Sequence, residues 1–387
     1  MIYAWWIAGI VLALAWASRV IDARAGMRSI ADISRTQWDQ AGASGWPRVS
    51  VIVPARNEQE SIEQALASLI AQDYAALEII AVDDRSSDRT GAIMDSAEAA
   101  SRGRLRAIHV GELPAGWMGK PHAMWEAAQR ATGDWLLFTD GDILFRPDCL
   151  RRAMAYAQTT HPDHLVLAPR LIMRSVGERM MLMFFRILFF FGHRPWKVSD
   201  PATRDHIGFG AFNLVRRSVY NAVGTHQRLR FEVLDDMKLG KLIKEKGFQQ
   251  DFVVGADLIS VRWGKGAMGI VRNLTKNMFS LLQFRWPRTI GACVALLFLN
   301  LAPFAGVWFA PGWSRSGYTV ALGSLFFIYI AAWRNGDVSP QYFFLHPIAA
   351  LLFLYAILRS MMLTLWRGGV VWRDTFYPLE ELRRGMV

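Results

Sequence analysis

Two aspartates separated by one glycine follow a short apolar segment and have the chemistry of a metal site. The segment Trp135–Phe138 is long enough for a buried strand, and Asp140 and Asp142 come shortly after it. Ligands of open α/β sheets bind at the carboxyl ends of the strands. Two carboxylates there suit a hard divalent cation, and Mg²⁺ usually shares its coordination shell with substrate phosphates. The alternative is an ordinary polar turn, since Asp and Gly are common turn residues.

Two earlier apolar segments also end in polar residues. Residues 49–53 form a near-continuous apolar run, as expected for a strand that is buried on both faces. A second run, residues 77–82, ends in Asp83 and Asp84, where a carboxylate can accept a hydrogen bond from a base N–H or a ribose hydroxyl. The residues that follow the first run are Pro54, Ala55, Arg56, Asn57 and Glu58.

The order of the predicted elements indicates an α/β fold. Strand, helix, strand and helix alternate from residue 49 onward, which predicts a mostly parallel sheet between helices. No Gly-x-Gly-x-x-Gly motif follows the first strand, and this argues against a dinucleotide-binding fold of that type.

The composition favours a membrane-attached enzyme. The chain has 387 residues, of which 52% are hydrophobic, and its net charge is +11. A basic surface can meet nucleic acid, anionic lipid or an anionic substrate. The sequence contains no Lys/Arg-rich nucleic-acid module, so we expect no nucleic-acid partner. Two cysteines, Cys149 and Cys293, offer neither a disulfide framework nor a zinc spacing.

Apolar segments at both ends of the chain predict membrane attachment. Residues 3–17 are apolar, and the positive charges Arg19, Arg24 and Arg28 follow them. A signal peptide would carry its positive charge before the apolar region, so we expect a retained anchor whose basic side faces the cytoplasm. Three later segments have spanning or near-spanning length, namely residues 289–310, 318–333 and 343–366.

Taken together, the motifs resemble the family 2 glycosyltransferases. The resemblance covers residues 47–265 and lies in acidic clusters at strand ends. It implies the GT-A fold and an inverting, metal-dependent transfer from a nucleotide-diphospho-sugar, for which we expect a UDP-sugar. The matching residues are Val53-Pro54-Ala55-Arg56-Asn57-Glu58, then Val82-Asp83-Asp84 with Ser86, Asp88 and Thr90, then Thr139-Asp140-Gly141-Asp142.

Finer features indicate a branch of that family. The single N-terminal anchor, the segment Gly116-Trp117-Met118-Gly119-Lys120 and the three late apolar segments resemble the hopanoid-associated glycosyltransferases. The arrangement is also similar to carotenoid-acid glycosyltransferases and bacterial ceramide glucosyltransferases. These relatives use lipid acceptors, so we expect a lipid acceptor and an inner-membrane, multi-pass protein with a cytoplasmic catalytic domain.

The resemblance also assigns roles to the acidic residues. It implies that Asp142 binds a divalent cation, Mg²⁺ or Mn²⁺, and that Asp140 contacts the cation or the donor's ribose. The loop 54–58 and Asp84 would hold the nucleoside. Lys120 is either a phosphate contact, as a point charge, or a solvated loop lysine.

Glycosyl transfer also needs a base that removes the proton of the acceptor hydroxyl. Family members carry an acidic pair at the start of a late helix, and the second acid is the base. Here the pair is Asp235 and Asp236, where the first position is more often Glu in the family. We expect Asp235 to cap the helix and Asp236 to turn inward as the base; the alternative is that both are caps.

A departure from the family pattern limits the function. Processive polysaccharide synthases carry Gln-x-x-Arg-Trp after the acidic pair, whereas this chain has Arg262-Trp263 without the Gln. Arg262 could bind the diphosphate, and Trp263 could stack on a sugar or anchor at the membrane interface. The alternatives to a lipid glycosyltransferase are a processive polysaccharide synthase and a catalytically inactive, membrane-bound nucleotide-sugar sensor or scaffold.

The predicted domains follow from these assignments. They are a membrane anchor (1–18), a linker (19–47), a GT-A domain (48–287), transmembrane segments (288–366) and a basic tail (367–387). Three late crossings would place the C-terminus outside, yet the tail carries cytoplasm-type positive charge. We therefore predict that the last segment, interrupted by Pro347 and Arg359, does not cross and that the C-terminus is cytoplasmic.

Overall fold

The protein contains two compact units. A computed structural model describes residues 2–39, 45–334, 336 and 338–386. The unit that we call the helical unit comprises Met1–Ser29, Met173–Arg194 and Trp263–Val370. The unit that we call the sheet unit comprises Ile30–Ile172, Pro195–Arg262 and Val371–Val387.

The strands are numbered in chain order. They are β1 Ala31–Asp32, β2 Val49–Ala55, β3 Leu77–Asp84, β4 Leu105–Val110, β5 Trp135–Phe138, β6 Leu144–Phe145, β7 His164–Leu167, β8 Arg170–Leu171, β9 Asn213–Arg216, β10 Gln250–Val254, β11 Ile259–Val261, β12 Gly369–Trp372 and β13 Thr375–Pro378.

The α-helices are numbered in the same way. They are α1 Ile2–Gly26, α2 Ile62–Ile70, α3 Thr90–Ala100, α4 Gly119–Arg130, α5 Cys149–Thr160, α6 Val176–Gly192, α7 Arg217–Ala222, α8 Asp235–Glu245, α9 Gly266–Leu281, α10 Trp286–Asn300, α11 Ala302–Phe309, α12 Arg315–Arg334, α13 His346–Arg367 and α14 Leu379–Arg384. Short 3₁₀ helices lie at Met27–Ser29, Thr36–Trp38, Pro195–Lys197, Gly312–Ser314 and Pro340–Leu345.

The sheet unit is built on an eight-stranded, mostly parallel sheet with the order β1-β10-β7-β9-β5-β2-β3-β4. Only β9 runs antiparallel within it, where it pairs with β5 and β7. The remaining pairs are parallel. The predicted α/β class with a mostly parallel sheet between helices is confirmed.

Strand β2 shows why the sheet is covered on both faces. All seven of its residues are buried. Val49, Val51 and Val53 pack into one hydrophobic cluster and Ile52 packs into another on the opposite face, as the alternation of side chains along a strand requires. Because both faces are covered, polar ligands can reach the sheet only at its edges, and the loops after β2, β3 and β5 share one of them.

Two details of the elements bear on the site. Helix α4 begins at Gly119. Pro121 lies in its first turn, where the backbone N–H that proline lacks would have no helical acceptor. Strands β10 and β11 follow each other in the chain, but β10 joins the large sheet whereas β11 pairs with β6 and β8 in a separate one.

The helical unit contains helices that are apolar enough to cross a membrane. Among the described residues, three qualify by length and composition: Ile2–Ser29, Gly312–Arg334 and Pro340–Arg367. The pair α10 and α11 qualifies as one broken span with a bend of 47°.

Trp16 compensates for the break between α10 and α11. Pro303 lies in the first turn of α11 and has no N–H to donate to the C=O of Leu299, four residues earlier. The indole N–H of Trp16 donates to that carbonyl at 2.9 Å, and Trp16 is 1% exposed. A freed carbonyl within an apolar unit needs such a replacement donor.

Helix α13 is continuous despite its proline and arginine. Pro347 lies in its first turn, where proline is tolerated, so the proline does not interrupt the helix. Arg359 donates to the hydroxyl of Thr275 at 2.8 Å. At the start of the helix His346 is hydrogen-bonded to Tyr329 (3.0 Å) and to Asn300 (3.1 Å).

Candidate active site

The loop after β2 is fixed to the loop after β3. Asn57 has a positive φ of 54°. Its N–H donates to the Ser86 hydroxyl at 3.0 Å, and its side-chain oxygen accepts from the Ser87 N–H at 2.8 Å. The N–H of Glu58 donates to the Thr90 hydroxyl at 2.8 Å. These hydrogen bonds hold the segment 54–58, which follows β2, against the loop that follows β3.

Asp83 and Asp84 point to opposite faces of the sheet, as consecutive strand residues must. Asp83 accepts from the Ser86 N–H at 3.0 Å and contacts a ring nitrogen of His109 at 3.3 Å. Asp84 is paired with Arg85 at 2.7 Å and lies 4.0 Å from Arg56. Both carboxylates already have protein partners, and Asp84 is the one on the side of Arg56.

Lys120 is the cation at the centre of an acidic cluster. It is the second residue of α4. Its ammonium group lies 2.8 Å from Asp140 and 3.5 Å from Asp235. Burial lowers the pKa of Lys120, but the charges of Asp140, Asp235 and Asp236 outweigh burial and raise it. Lys120 therefore stays charged and is not a solvated loop lysine.

Asp235 is buried beside Lys120 and does not cap its helix. The cap position is Leu234, which makes no side-chain cap bond, so the expected capping role of Asp235 is wrong. Asp235 is 2% exposed, and its Oδ2 has no hydrogen-bond partner. Burial and the neighbouring acids Asp236 and Asp140 raise the pKa of Asp235 to about 7, against the effect of Lys120.

Asp236 is held in a fixed orientation by two backbone donors. The N–H groups of Met237 and Gly210 each donate to its carboxylate at 2.7 Å. Burial and the charge of Asp140 raise its pKa, whereas Lys120 and the two N–H groups oppose that shift. The residue is intermediate in exposure.

Gly210 connects Asp236 to Asp140. Its N–H donates to Asp236, and its C=O accepts from the N–H of Asp140 at 2.8 Å. A Cβ at this position would collide with the Asp140 carboxylate, and one at Gly208 would collide with the backbone of Asp236. The loop 208–210 was not predicted as part of the site, because glycines in a sequence indicate only a turn.

Asp142 lies in a negative environment. Burial, followed by the charges of Asp140 and Glu58, raises its pKa to about 7, while Arg373 opposes the shift. The charges of Glu58 and Asp140 therefore act on Asp142, although the three acids come from the loops after β2 and β5. A bound cation would relieve their mutual repulsion.

Comparisons with known proteins agree with this geometry. A family model described as "Glycosyl transferase family 2" matches residues 50–224. The chain carries a family 2 glycosyltransferase domain. The matched residues include the strand ends that hold Glu58, Asp84, Asp140 and Asp142.

The relatives of this glycosyltransferase include a protein of similar length. The 4,4'-diaponeurosporenoate glycosyltransferase of Staphylococcus aureus (strain MRSA252) is 23% identical over 341 residues, which are 86% of this chain and 89% of the relative. The solved structure of mannosyltransferase PcManGT from Pyrobaculum calidifontis, in complex with GDP-Man and Mn²⁺, is 20% identical with a TM-score of 0.55. It covers 94% of this chain and 99% of the other, and it shows the same GT-A fold.

The donor set of this glycosyltransferase fits a divalent cation. Among the described residues, no group of three or more His, Cys, Asp and Glu side chains is placed to hold a metal ion by itself. Asp140 and Asp142 provide two oxygen donors, and Mg²⁺ is commonly bound through one or two carboxylates together with substrate phosphates. The side chain of Asp140 is 40% exposed, so it remains accessible to a ligand.

The Arg-Trp pair belongs to different parts of the molecule. Arg262 is the last residue of the central segment of the sheet unit. Trp263 belongs to the helical unit, where its ring centroid lies 4.9 Å from that of Phe185 and its C=O accepts from Asn273. A sugar-stacking role for Trp263 stays a prediction.

Residues near the C-terminus also contact the site. The Tyr377 hydroxyl accepts from the N–H of Gly119 at 3.1 Å. Arg373 is paired with Glu58. The tail thus reaches both the loop after β2 and the first turn of α4.

Proposed function

We propose that this glycosyltransferase moves a sugar, with inversion, from a nucleotide-diphospho-sugar to a membrane lipid and that it requires a divalent cation. The observation that carries the proposal is the bridge through Gly210. It connects the carboxylate of Asp236 to the backbone of Asp140. A base and a metal-binding acid must lie side by side if one removes the acceptor proton while the leaving diphosphate is stabilised nearby.

Each acidic residue has a distinct task in this proposal. Asp236 accepts the proton of the acceptor hydroxyl, the acceptor oxygen bonds to the anomeric carbon, and the bond from that carbon to the diphosphate breaks. Because Gly210 and Met237 fix both oxygens of Asp236, the base needs little reorganisation. Asp140 and Asp142 would hold the cation, which supplies positive charge to the leaving diphosphate.

We assign binding of the nucleotide-sugar donor chiefly to the loops after β2 and β3. We assign nucleoside binding to the loop 54–58 and Asp84, and contact with the donor's phosphates to Lys120 and Arg262. Lys120 suits this role because it is charged and already lies beside Asp140. Asp83 is engaged by Ser86 and His109, so we expect it to support the loop rather than touch the donor.

A membrane lipid is the proposed acceptor because the chain carries helices of spanning length. The relative from Staphylococcus aureus is named for transfer to 4,4'-diaponeurosporenoate, and PcManGT is bound to Mn²⁺. These names favour an apolar acceptor and a divalent cation, without specifying the acceptor of this chain.

The packing of α12 on α1 supports the proposed membrane topology. Tyr318, near the start of α12, lies 6.0 Å from Trp5, and Phe327 lies 5.8 Å from the guanidinium of Arg24. The two helices are therefore parallel. If the basic end of α1 faces the cytoplasm, α12 ends there too, and the broken pair α10–α11 is the outward crossing.

Helix α13 then does not cross. The tail Val371–Val387 belongs to the sheet unit, as does Ile30–Ile172. If the sheet unit lies on one side of the membrane, the chain between Arg262 and Val371 crosses an even number of times. The pair α10–α11 and α12 supply two crossings, and we propose that α13 lies in the cytoplasmic interface.

A transfer assay tests the proposed function. Purified full-length protein is incubated with UDP-glucose, UDP-N-acetylglucosamine or GDP-mannose and a bacterial lipid extract, with either Mn²⁺ or EDTA. The expected result is a new glycolipid by mass spectrometry with at least one donor, which is lost in EDTA. Donor hydrolysis without any glycolipid would contradict the acceptor class, and equal product in EDTA would contradict the cation requirement.

A further inference from the structure

The C-terminal hairpin has a turn whose sequence does not suit it. Strands β12 and β13 form a two-stranded sheet. The two residues between them, Arg373 and Asp374, have positive φ values of 48° and 62°. Two-residue turns with two positive φ angles strongly favour Asn-Gly or similar pairs. Side chains in this backbone region are strained and persist where the surroundings require them, often at functional sites.

The side chains of the hairpin explain what holds this turn. Arg373 donates to the C=O of Arg56 and pairs with the carboxylate of Glu58. Arg56 in turn donates to the Thr375 hydroxyl at 3.0 Å. The Tyr377 hydroxyl accepts from Gly119. The hairpin therefore contacts the two elements to which donor binding is assigned, the loop 54–58 and the first turn of α4.

Arg373 also adds positive charge beside the loop 54–58, because its guanidinium is paired with the carboxylate of Glu58. Its side chain is 38% exposed, so the guanidinium is accessible to a ligand. A guanidinium has a planar fork of donors that suits phosphate oxygens, whereas an ammonium group acts only as a point charge.

We propose that the C-terminal hairpin is part of the donor site and that Arg373 is a donor-positioning residue which faces the diphosphate of the nucleotide-sugar. The inference rests on the proposed function. In this arrangement Arg373 has two tasks: it orders the loop 54–58 through Arg56 and Glu58, and it offsets negative charge when the diphosphate enters beside Asp140 and Asp142.

Equilibrium binding of nucleoside diphosphates tests the assignment. Full-length protein in detergent micelles is titrated with UDP and with GDP in the presence of Mn²⁺. Arg373→Ala should weaken binding of the preferred nucleotide by about tenfold or more, and Arg373→Lys should lie between it and wild type, because lysine keeps the charge and loses the fork. The control is Arg384→Ala, which removes an exposed arginine of the same tail that pairs only locally with Glu380.

A second readout distinguishes donor positioning from a structural role. The melting temperatures of Arg373→Lys and wild type should agree, while their affinities differ. The double variant Glu58→Arg with Arg373→Glu restores a mutual pair but places a carboxylate where the diphosphate is expected. It should therefore bind UDP and GDP as poorly as Arg373→Ala or worse.

Three results would overturn the assignment in different ways. Wild-type affinity in Arg373→Ala would remove Arg373 from the donor site, while the proposed function stands if wild type binds a nucleotide. Full recovery of affinity in the double variant would make Arg373 a structural partner of Glu58 only. If wild type binds neither nucleotide, the proposed function itself is contradicted, and the inference with it.

Discussion

At the residue scale, the site contains more negative than positive charge. Lys120 lies among Asp140, Asp235 and Asp236, and the charge of Glu58 acts on Asp142. Burial, followed by the charges of these neighbouring acids, raises the pKa values of Asp142 and Asp235 to about 7. An arrangement that is unfavourable in the free protein is expected where a cation binds, because the ligand relieves the repulsion.

The first prediction concerns Asp142→Asn. Without cation, the raised pKa of Asp142 means that the folded state binds its proton more tightly than the unfolded state does. Its contribution to stability is full below pH 3.8 and is lost as the pH rises to about 7. In EDTA, the melting temperature of the variant should therefore exceed that of wild type at pH 8, and the difference should shrink by pH 5. With Mn²⁺, the variant should lose most turnover.

Lower stability of Asp142→Asn at pH 8 in EDTA would contradict this charge arrangement. Asp148→Asn is the control, since Arg146 and Arg152 hold the pKa of that carboxyl below its ordinary value, at about 2, despite its partial burial. Loss of Asp148 should lower the melting temperature at pH 8.

The sequence predicted the acids but not their partners. Asp140 and Asp142 could be located because they follow a buried strand, and strand ends meet at one edge of a parallel sheet. The pairing of Lys120 with Asp235 joins residues that are far apart in sequence and depends on the tertiary fold that brings the start of α4 to the start of α8. No local pattern encodes such a pairing. The same reason explains why Asp235 was mistaken for a helix cap.

At the scale of elements, the least predictable parts of the site are the loop 208–210 and the C-terminal hairpin. The loop 208–210 approaches Asp140 and Asp236 through its backbone, so its sequence contains no chemical group that indicates a site. The C-terminal hairpin is separated from Glu58 by more than three hundred residues. In the sequence, nothing distinguishes Arg373 from the other basic residues of the tail. The central strands were predictable, because continuous apolar runs indicate a buried parallel sheet.

The second prediction concerns the break between α10 and α11. Trp16→Phe keeps the aromatic ring but removes the N–H that bonds to the Leu299 carbonyl. The carbonyl is then unpaired in an apolar unit, which should cost about 0.5–2 kcal/mol of stability. Chemical unfolding in detergent, followed by tryptophan-independent circular dichroism, measures the loss.

The control for this prediction is Trp6→Phe on the same helix. Trp6 is 38% exposed, so this change should leave the unfolding free energy within about 0.5 kcal/mol of wild type. Equal effects of the two substitutions would mean that the Trp16 hydrogen bond does not stabilise the break.

At the scale of the whole molecule, the order of segments constrains the topology. The tail from Val371 onward belongs to the sheet unit, as do Ile30–Ile172 and Pro195–Arg262. Sequence rules alone left a conflict between the number of apolar segments and the positive charge of the tail. The conflict is resolved in the proposal if α13 remains on the cytoplasmic side, with an apolar face that includes Ile348, Leu351 and Tyr355 exposed to lipid.

The third prediction is therefore a cytoplasmic C-terminus and an outside loop between α11 and α12. A reporter that is active only in the periplasm should be silent after residue 386 and active when inserted at Gly312. Activity at both positions would show that α13 crosses. If the reporter is inactive at both Gly312 and the C-terminus, the α10–α11 pair is a re-entrant element that begins and ends on the cytoplasmic side.

The proposed transfer depends most directly on Asp236 as the base. An effect of its substitution on the chemical step can be distinguished from an effect on donor binding. The measurement compares donor affinity and turnover of Asp236→Asn and Asp235→Asn in one preparation with Mn²⁺. We expect Asp236→Asn to bind donor within about threefold of wild type and to lose about 10²–10⁴-fold in turnover, since a general base acts on the chemical step. Asp235→Asn should retain far more activity. Near-normal turnover of Asp236→Asn would contradict the role of Asp236 as the base. An Asp235→Asn variant with lower turnover than Asp236→Asn would contradict it as well.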